Sequence, residues 1–168
     1  MKATNERGRF LPLILGFVLI WVVAPLTAQR VNPNISESDS KWSELDSKTK
    51  DSGPRTTSED KDLANQFEDF YTENPDHPNA NKARGYEALH LVRAWRSGDE
   101  SQSGRRDQAV ASVRSDVSIP VEIRAEVSVT AKNTAVKTRG YDKHWDKMSA
   151  LAEVAIEVSG EFPQWEVI

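Results

Sequence analysis

The sequence predicts an all-α protein of antiparallel helical hairpins, preceded by a signal peptide and a disordered linker. Three observations support this fold class. Apolar side chains recur at helical spacing in several separate segments after residue 59. A short turn containing Pro75 and Pro78 joins the first two segments, which favours a hairpin. A stretch near the carboxyl end also repeats part of the first segment.

Residues 1–28 are predicted to be a secretory signal peptide. The basic residues Lys2, Arg7 and Arg9 come first. An apolar run over residues 10–24 follows, and then the small residues Thr27 and Ala28, which is the order of a signal peptide. A spanning helix needs roughly 20 apolar residues. Cleavage after Ala28 is therefore favoured, and an uncleaved anchor is the alternative. We expect a periplasmic or extracellular protein, with membrane contact only through an uncleaved signal segment.

Composition excludes several classes of function. The chain has no cysteine, so it is neither a thiol nucleophile, a CxxC redox enzyme nor a cysteine-ligated metalloprotein. A formal net charge of −4 argues against nucleic acid as a partner.

Residues 29–58 are predicted to be a disordered linker, and residues 59–168 the folded helical-hairpin domain. The linker is rich in Ser, Asp, Lys and Thr. Its few apolar side chains are Val31, Ile35, Trp42 and Leu45. Such a segment buries too little apolar surface to offset the entropy lost on ordering.

The first predicted helix begins near Glu59, with Thr57 and Ser58 available as caps. It ends by Asn74, because Pro75 disfavours helical geometry in the residue before it. One face carries Leu63, Ala64, Phe67, Phe70 and Tyr71.

The second predicted helix opens at Pro78 and covers residues 79–95. Its apolar stripe is Ala88, Leu91, Val92 and Trp95, flanked by Gly85 and Leu89.

A third, shorter helix is predicted around Ala109, Val110, Val113 and Val117. Residues 120–132 alternate apolar and polar side chains, which is typical of a strand. Pro120 as a helix start and Gly140 as a stop leave a span too long for an ordinary strand. We predict a helix here, with a strand as the alternative.

The last predicted helix covers about residues 144–159 and stops at Gly160. The residues on its apolar face are Trp145, Met148, Leu151, Ala152, Ala155 and Ile156.

The internal repeat aligns "LANQFEDFYTENP" (residues 63–75) with "LAEVAIEVSGEFP" (residues 151–163), with four identities. If the repeat is real, the chain stops where a partner helix should begin. The apolar residues near that end are Phe162, Trp165, Val167 and Ile168. We therefore expect self-association that depends on concentration.

The stretch "FEDFYTENPDHPNANKARGYEALHLVRAW" resembles a tetratricopeptide-type hairpin of exported bacterial proteins, although it lacks the early Trp and the Leu-Gly pair of that repeat. The later run "SDVSIPVEIRAEV … EFPQWEVI" is similar to helical regions that precede thioredoxin-like domains in some exported bacterial redox proteins. This second resemblance implies no active-site residues here, because its CxxC motif would lie beyond Ile168.

Candidate chemistry is sparse. Asp142, His144 and Asp146 lie close together in the sequence, but their spacing does not place all three on one helical face. We interpret them as a solvated helix start rather than a metal site.

Three further sets of residues are interpreted as structural. Asp76 and His77 lie in an interhelical turn, where polar side chains cap helices. His90 beside the apolar stripe is expected to be a partly buried packing residue. Arg105 and Arg106 are expected to form a solvated corner. We predict no catalytic, cofactor-binding or metal-binding residue.

Aromatic residues suggest a partner instead. Trp145, Phe162 and Trp165 would form a surface for another protein, or Trp145 would be core and the others would pack back on the last helix.

We therefore expect an exported, non-enzymatic helical-repeat protein that binds another protein. The alternative is the amino-terminal helical part of a truncated thioredoxin-like thiol-disulfide oxidoreductase.

Overall fold

The computed structural model describes residues 33–50 and 53–164, and six α-helices account for most of them. The helices are α1 (Pro33–Lys50), α2 (Thr57–Glu73), α3 (Ala80–Arg96), α4 (Ser103–Ser115), α5 (Val121–Thr138) and α6 (His144–Glu161). Neither of the two ranges contains a strand, which confirms the all-α prediction. The predicted signal peptide, residues 1–28, lies outside the described residues.

Helix α2 begins and ends with local hydrogen bonds that its sequence supplies. The Thr56 hydroxyl accepts from the backbone N–H of Glu59 at 3.3 Å, and the Glu59 carboxylate accepts from the backbone N–H of Thr56 at 2.6 Å. This reciprocal capping box stabilises the first turn. The cap is therefore Thr56 rather than Thr57 or Ser58. At the other end, the predicted stop is confirmed, since Asn74 caps the helix before Pro75.

One core cluster lies between α2 and α3. The predicted face of α2 is confirmed, because Leu63, Ala64, Phe67 and Phe70 are buried and Tyr71 is half-buried. The Phe67 ring lies 5.3 Å from the Tyr86 ring and 5.8 Å from the His90 ring, centroid to centroid. On α3, the predicted stripe is buried except at Trp95, which is partly exposed.

Helix α1 corrects the prediction of a disordered linker for residues 33–50, while residues 29–32 and 51–52 of the predicted linker 29–58 lie outside the described residues. Leu45 is buried, and the Trp42 ring lies 5.5 Å from the Phe70 ring and stacks on Tyr86 at 6.2 Å. Few apolar side chains suffice here, because Trp42 and Leu45 share one helical face and α2 and α3 already provide an aromatic surface. An ion pair of 2.6 Å between Lys41 and Glu73 also joins α1 to the end of α2.

Helix α5 confirms the helical interpretation of residues 120–132, and its burial explains the alternating pattern. Ile123 and Val127 belong to one core cluster with α3 and α4. Val121, Ala125 and Val129 belong to another cluster with α6. Residues four apart share a helical face, so two faces covered by different neighbours produce an apolar residue at every second position.

The third helix, α4, was predicted correctly at Val113, which is buried in the cluster with Ile123. Val117 was assigned wrongly, since it lies beyond the end of α4 and is 85% exposed.

Gly85 allows α3 and α5 to approach closely. A Cβ atom at this position would overlap the Cγ2 methyl group of Ile123, which is a stiff β-branched side chain. We expect Gly85→Ala to lower the free energy of unfolding by about 1–3 kcal/mol, despite the better helix propensity of alanine. Urea unfolding followed by circular dichroism measures this change.

The matched control for this prediction is Gly160→Ala on α6, where a Cβ atom would meet nothing within 4 Å. This variant should be as stable as the parent or more stable by up to about 1 kcal/mol. If Gly85→Ala is also no less stable than the parent, the close approach of α3 and α5 is wrong.

Helix α6 continues through Gly160, so the predicted stop there was wrong. Gly140, after α5, adopts a φ of 74° and ends α5 as predicted.

The end of α6 resembles the end of α2. The backbone N–H of Phe162, before Pro163, donates to the carbonyl oxygen of Val158 at 2.8 Å. The aligned residue Asn74 has nearly the same backbone angles as Phe162, φ −130° and ψ 59° against φ −127° and ψ 70°. The two repeated stretches therefore end their helices in the same way.

In the described part of the chain, no helix combines the length and the apolar character needed to cross a bilayer.

Candidate protein-docking surface

Helix α6 packs on α5 through one face. Val154, Val158 and Phe162 are buried there with Ala125. The guanidinium of Arg124 lies 5.2 Å from the centre of the Phe162 ring. Arg114 donates to both carboxylate oxygens of Glu161, at 3.0 and 2.8 Å. This inner face fixes the position of α6 by packing and by a two-pronged ion pair.

A second apolar face of α6 points to solvent. Trp145 is 78% exposed, Ile156 is 74% exposed and Met148 is 45% exposed, and Ala152 between them is also exposed. These four residues lie at i, i+3, i+7 and i+11, so they follow one line along the helix at about 100° per residue. We call Trp145, Met148, Ala152 and Ile156 the outer stripe. Large apolar side chains grouped in this way mark an interaction surface more often than single exposed ones do.

Acidic side chains border the outer stripe on one side. Asp146, Glu153 and Glu157 are exposed, and each follows a residue of the outer stripe in the sequence. We call these three residues the acidic rim. Lys132 of α5 pairs with Glu157, and its hydrogen bond and positive charge lower the pKa of Glu157. Within residues 33–50 and 53–164, Asp146 and Glu153 form no ion pair, so their charges face solvent.

The repeat relates the outer stripe to a face that is covered on α2. On α2, the Phe67 ring contacts rings of α3, and the Tyr71 hydroxyl donates to Glu87 of α3 at 2.9 Å. Ala64, on the same helix, is fully buried. The aligned residues on α6 are Ala152, Ala155 and Ser159, of which only Ala155 is even half-buried. Of these three, only Ala152 belongs to the outer stripe. Met148 of the outer stripe aligns with Asp60, which bonds to His90 of α3, so the outer stripe overlaps the α3-facing side of α2 at Met148 and Ala152.

The three aromatic residues predicted to bind a partner have different outcomes. Trp145 is exposed in the outer stripe and is not part of the core. Phe162 is 2% exposed and packs with Val158 of α6 and Ala125 of α5, so the alternative in which it packs back on the last helix is confirmed for this residue. Trp165 lies outside the described residues, as do Val167 and Ile168.

The predicted apolar face of α6 was therefore only partly correct. Its residues are apolar as predicted, but most of them face solvent, and the core contact is made by Val154 and Val158 instead. The sequence carries a signal for this arrangement, because α6 has two apolar lines at helical spacing rather than one.

The acidic and histidine residues at the start of α6 lie in solvent. Asp142, His144 and Asp146 are all exposed, and the His144 ring contacts the Trp145 ring at 6.1 Å. No three potential metal ligands come together in the ranges 33–50 and 53–164.

The turn between α2 and α3 uses His77 as a structural residue. Its Nδ1 accepts from the backbone N–H of Asn79 at 3.1 Å, so the proton of the neutral ring lies on Nε2, which is 3.1 Å from Asp39 of α1. Asp76 next to it is exposed.

His90 is a packing residue, as predicted, but it is fully rather than partly buried. Its Nδ1 donates to Asp60 at 2.8 Å, and its ring stacks on Phe67. Burial lowers the pKa of His90 below the usual value near 6.5, while the hydrogen bond to Asp60 acts in the opposite direction. Arg93 and Arg55 also lower this pKa. The imidazole is therefore neutral in the folded protein at pH 7.

This buried histidine predicts a loss of stability in mild acid. The unfolded chain takes up a proton near pH 6.5, whereas the folded chain does so only at lower pH, so stability falls as the pH drops below about 6.5. The free energy of unfolding of the parent should fall more steeply between pH 7.5 and pH 5.5 than that of His90→Gln, by up to about 1.4 kcal/mol per pH unit. Parallel urea titrations measure both slopes. Equal slopes would show that His90 titrates alike in both states.

Arg105 and Arg106 do not form the predicted solvated corner. Arg105 donates to Glu87 at 2.9 Å and pairs with Glu68 at 3.0 Å. The guanidinium of Arg106 lies 4.0 Å from the centre of the Trp95 ring and is almost fully buried. Helix α4 begins at Ser103, before both arginines, and packs them against α2 and α3.

The buried carboxylate of Glu87 is the centre of this network. It also accepts from the Tyr71 hydroxyl. The pKa of Tyr71 is raised, mainly by burial and next by this hydrogen bond. The network joins α2, α3 and α4, and we interpret it as structural because each buried charge has a partner.

The fold and its surface define an all-α protein whose last described helix leaves one apolar face uncovered. Comparison of the chain with protein-family models, with curated proteins and with solved structures gave no match.

Proposed function

We propose that this chain is a protein-interaction module of the tetratricopeptide-like, helical-hairpin type, and that it binds a partner through the outer stripe of α6. The proposal assigns it no catalytic reaction and no cofactor.

Two contacts support an antiparallel hairpin of α2 and α3. Asp60, near the start of α2, bonds to His90 in the second half of α3 at 2.8 Å. Tyr71, near the end of α2, bonds to Glu87 further toward the start of α3. Contacts that advance along one helix while they retreat along the other are those of antiparallel neighbours. The matching ends of α2 and α6 support a second, related unit.

The exposure of the outer stripe is the observation that carries the binding proposal. Val154, Val158 and Phe162 already anchor α6, so the fold does not need Trp145 or Ile156. Burying either side chain fully against a partner would contribute about 1.5–3 kcal/mol. Tryptophan is also among the residues that most often dominate the binding energy of protein interfaces.

Export is the second part of the proposal, and it depends on the sequence of residues 1–28 alone. The basic residues followed by an apolar run and small residues support a periplasmic or extracellular location. A partner would then be another protein of that compartment.

Site-specific photocrosslinking tests the binding proposal. A photoreactive amino acid placed at Ala152, in the outer stripe, should give a discrete crosslinked protein in the producing organism. The same group at Asp62, an exposed residue of α2, serves as the control and should not give that product. Trp145→Ala/Ile156→Ala should remove the adduct formed at position 152. Equal adducts at both positions, or none at position 152, would contradict the proposal.

A further inference from the structure

We infer that the occupant of the outer stripe is a basic amphipathic helix of a partner protein, lying along α6 as α3 lies along α2. This inference rests on the proposed function, and it adds the shape and the charge of the partner.

The shape follows from the covered counterpart of the outer stripe. On α2, the residues aligned with the outer stripe are Thr57, Asp60, Ala64 and Glu68. Asp60 bonds to His90 of α3 at 2.8 Å and Ala64 is fully buried, while Glu68 at the end of this line pairs with Arg105 near the start of α4. On α6, the outer stripe is a straight line of apolar residues from Trp145 to Ile156, which spans about 16 Å at 1.5 Å per residue. A helix with apolar residues at i, i+3 or i+4, and i+7 presents a line of the same kind.

The charge follows from the acidic rim. Asp146 and Glu153 border the outer stripe and have no ion-pair partner in the described part of the chain. A partner helix placed on the stripe brings the residues beside its own apolar line next to this rim. Lysine or arginine at those positions would pair with the two carboxylates, whereas acidic residues would be repelled.

The same charges argue against an antiparallel second copy of this chain as the occupant. Two α6 helices packed antiparallel through their outer stripes would place Trp145 opposite Ile156 and Met148 opposite Ala152. Asp146 of one chain would then lie next to Glu153 of the other, on the same side of the interface. Like charges so placed destabilise the pair. This arrangement does not favour the self-association suggested by the repeat.

Two synthetic peptides test the inference. Each is an amphipathic helix of about five turns with one line of leucines, and the remaining positions are mostly lysine in one peptide and mostly glutamate in the other. We expect the protein to bind the lysine peptide at least about tenfold more tightly, as measured by fluorescence anisotropy. Trp145→Ala/Ile156→Ala should weaken that binding by about tenfold or more.

A pair of charge-reversal variants separates the rim from the overall charge of the protein. Asp146→Lys/Glu153→Lys changes the acidic rim, and Asp62→Lys/Asp69→Lys makes the same change in net charge at exposed positions of α2. We expect only the rim variant to lose the preference for the lysine peptide. An equal loss in both variants would overturn the inference, because overall charge would then explain the preference.

The outcomes also distinguish this inference from the proposed function. If both peptides bind equally and both depend on Trp145 and Ile156, the basic partner is wrong but the outer stripe still binds protein. If the binding of neither peptide depends on these residues, both the basic partner and the outer stripe as a binding site are wrong for helical partners. A dimer in sedimentation equilibrium that dissociates on Trp145→Ala/Ile156→Ala would identify a second copy as the occupant and overturn the inference.

Discussion

Phe67→Ala is expected to lower the free energy of unfolding by about 3–5 kcal/mol, because it empties the core cluster that α1, α2 and α3 share. The Phe67 ring is fully buried and contacts side chains from two other helices, namely Trp42 of α1 and both Tyr86 and His90 of α3. Removing it leaves a cavity that three helices would have to fill. Urea unfolding followed by far-ultraviolet circular dichroism measures the loss.

The control for this prediction is Val117→Ala, since Val117 is 85% exposed and lies outside the helices. Its effect should stay within about 0.5 kcal/mol. A Phe67→Ala variant that loses less than about 1 kcal/mol would contradict the central position of Phe67.

Val158→Asp is expected to have a comparable or larger effect, of at least about 4 kcal/mol, because it places a carboxylate in the apolar contact between α6 and α5. Val158 is fully buried beside Ala125 and Phe162. Loss of helical circular dichroism at pH 7 would report the detachment of α6. Partial recovery at low pH, where the new carboxyl group is neutral, would support this cause.

Ile156→Asp is the matched control, because it puts the same side chain on the same helix only two residues away. Ile156 is 74% exposed, so its replacement should change the free energy of unfolding by no more than about 0.5 kcal/mol. If Ile156→Asp is as destabilising as Val158→Asp, the outer stripe belongs to the core and the assignment of the two faces is wrong.

Helical spacing alone predicts α2 well, because this helix has one dominant apolar face and ends before Pro75. Helix α3 was also predicted as a helix, but its residues 87–92 are all buried, so the one predicted stripe describes only part of its contacts. Helix α1 could not be predicted from its composition, since Trp42 and Leu45 become sufficient only when α2 and α3 provide an aromatic surface. The residues of α1 do not show that surface. When α1 is considered alone, the few apolar side chains that it can bury do not offset the entropy lost on ordering the segment.

The candidate site was only partly predictable, for a related reason. Helix α6 has two apolar lines, and the choice between them depends on the residues that α5 presents to it, such as Ala125 and Arg124. Trp145 was considered as a partner residue from its type, with a place in the core as the alternative. The role proposed for Glu153 could not be predicted from the sequence, because its position beside the outer stripe matters only once that stripe is known to face solvent.

The buried charges were the hardest features to predict. Glu87 lies between Tyr86 and Ala88 on α3, and its partner Arg105 is far from it in the sequence. No periodic pattern links two such residues. Only the packing of α4 against α3 brings them together.

The central claim is that the outer stripe binds a partner and does not hold the fold together. The double variant Trp145→Ala/Ile156→Ala tests both halves of this claim when its unfolding and its crosslinking through position 152 are measured together. We expect a free energy of unfolding within about 0.5 kcal/mol of the parent and complete loss of the crosslinked partner. A variant that unfolds at clearly lower denaturant concentration, or that keeps the crosslinked partner, would contradict the claim.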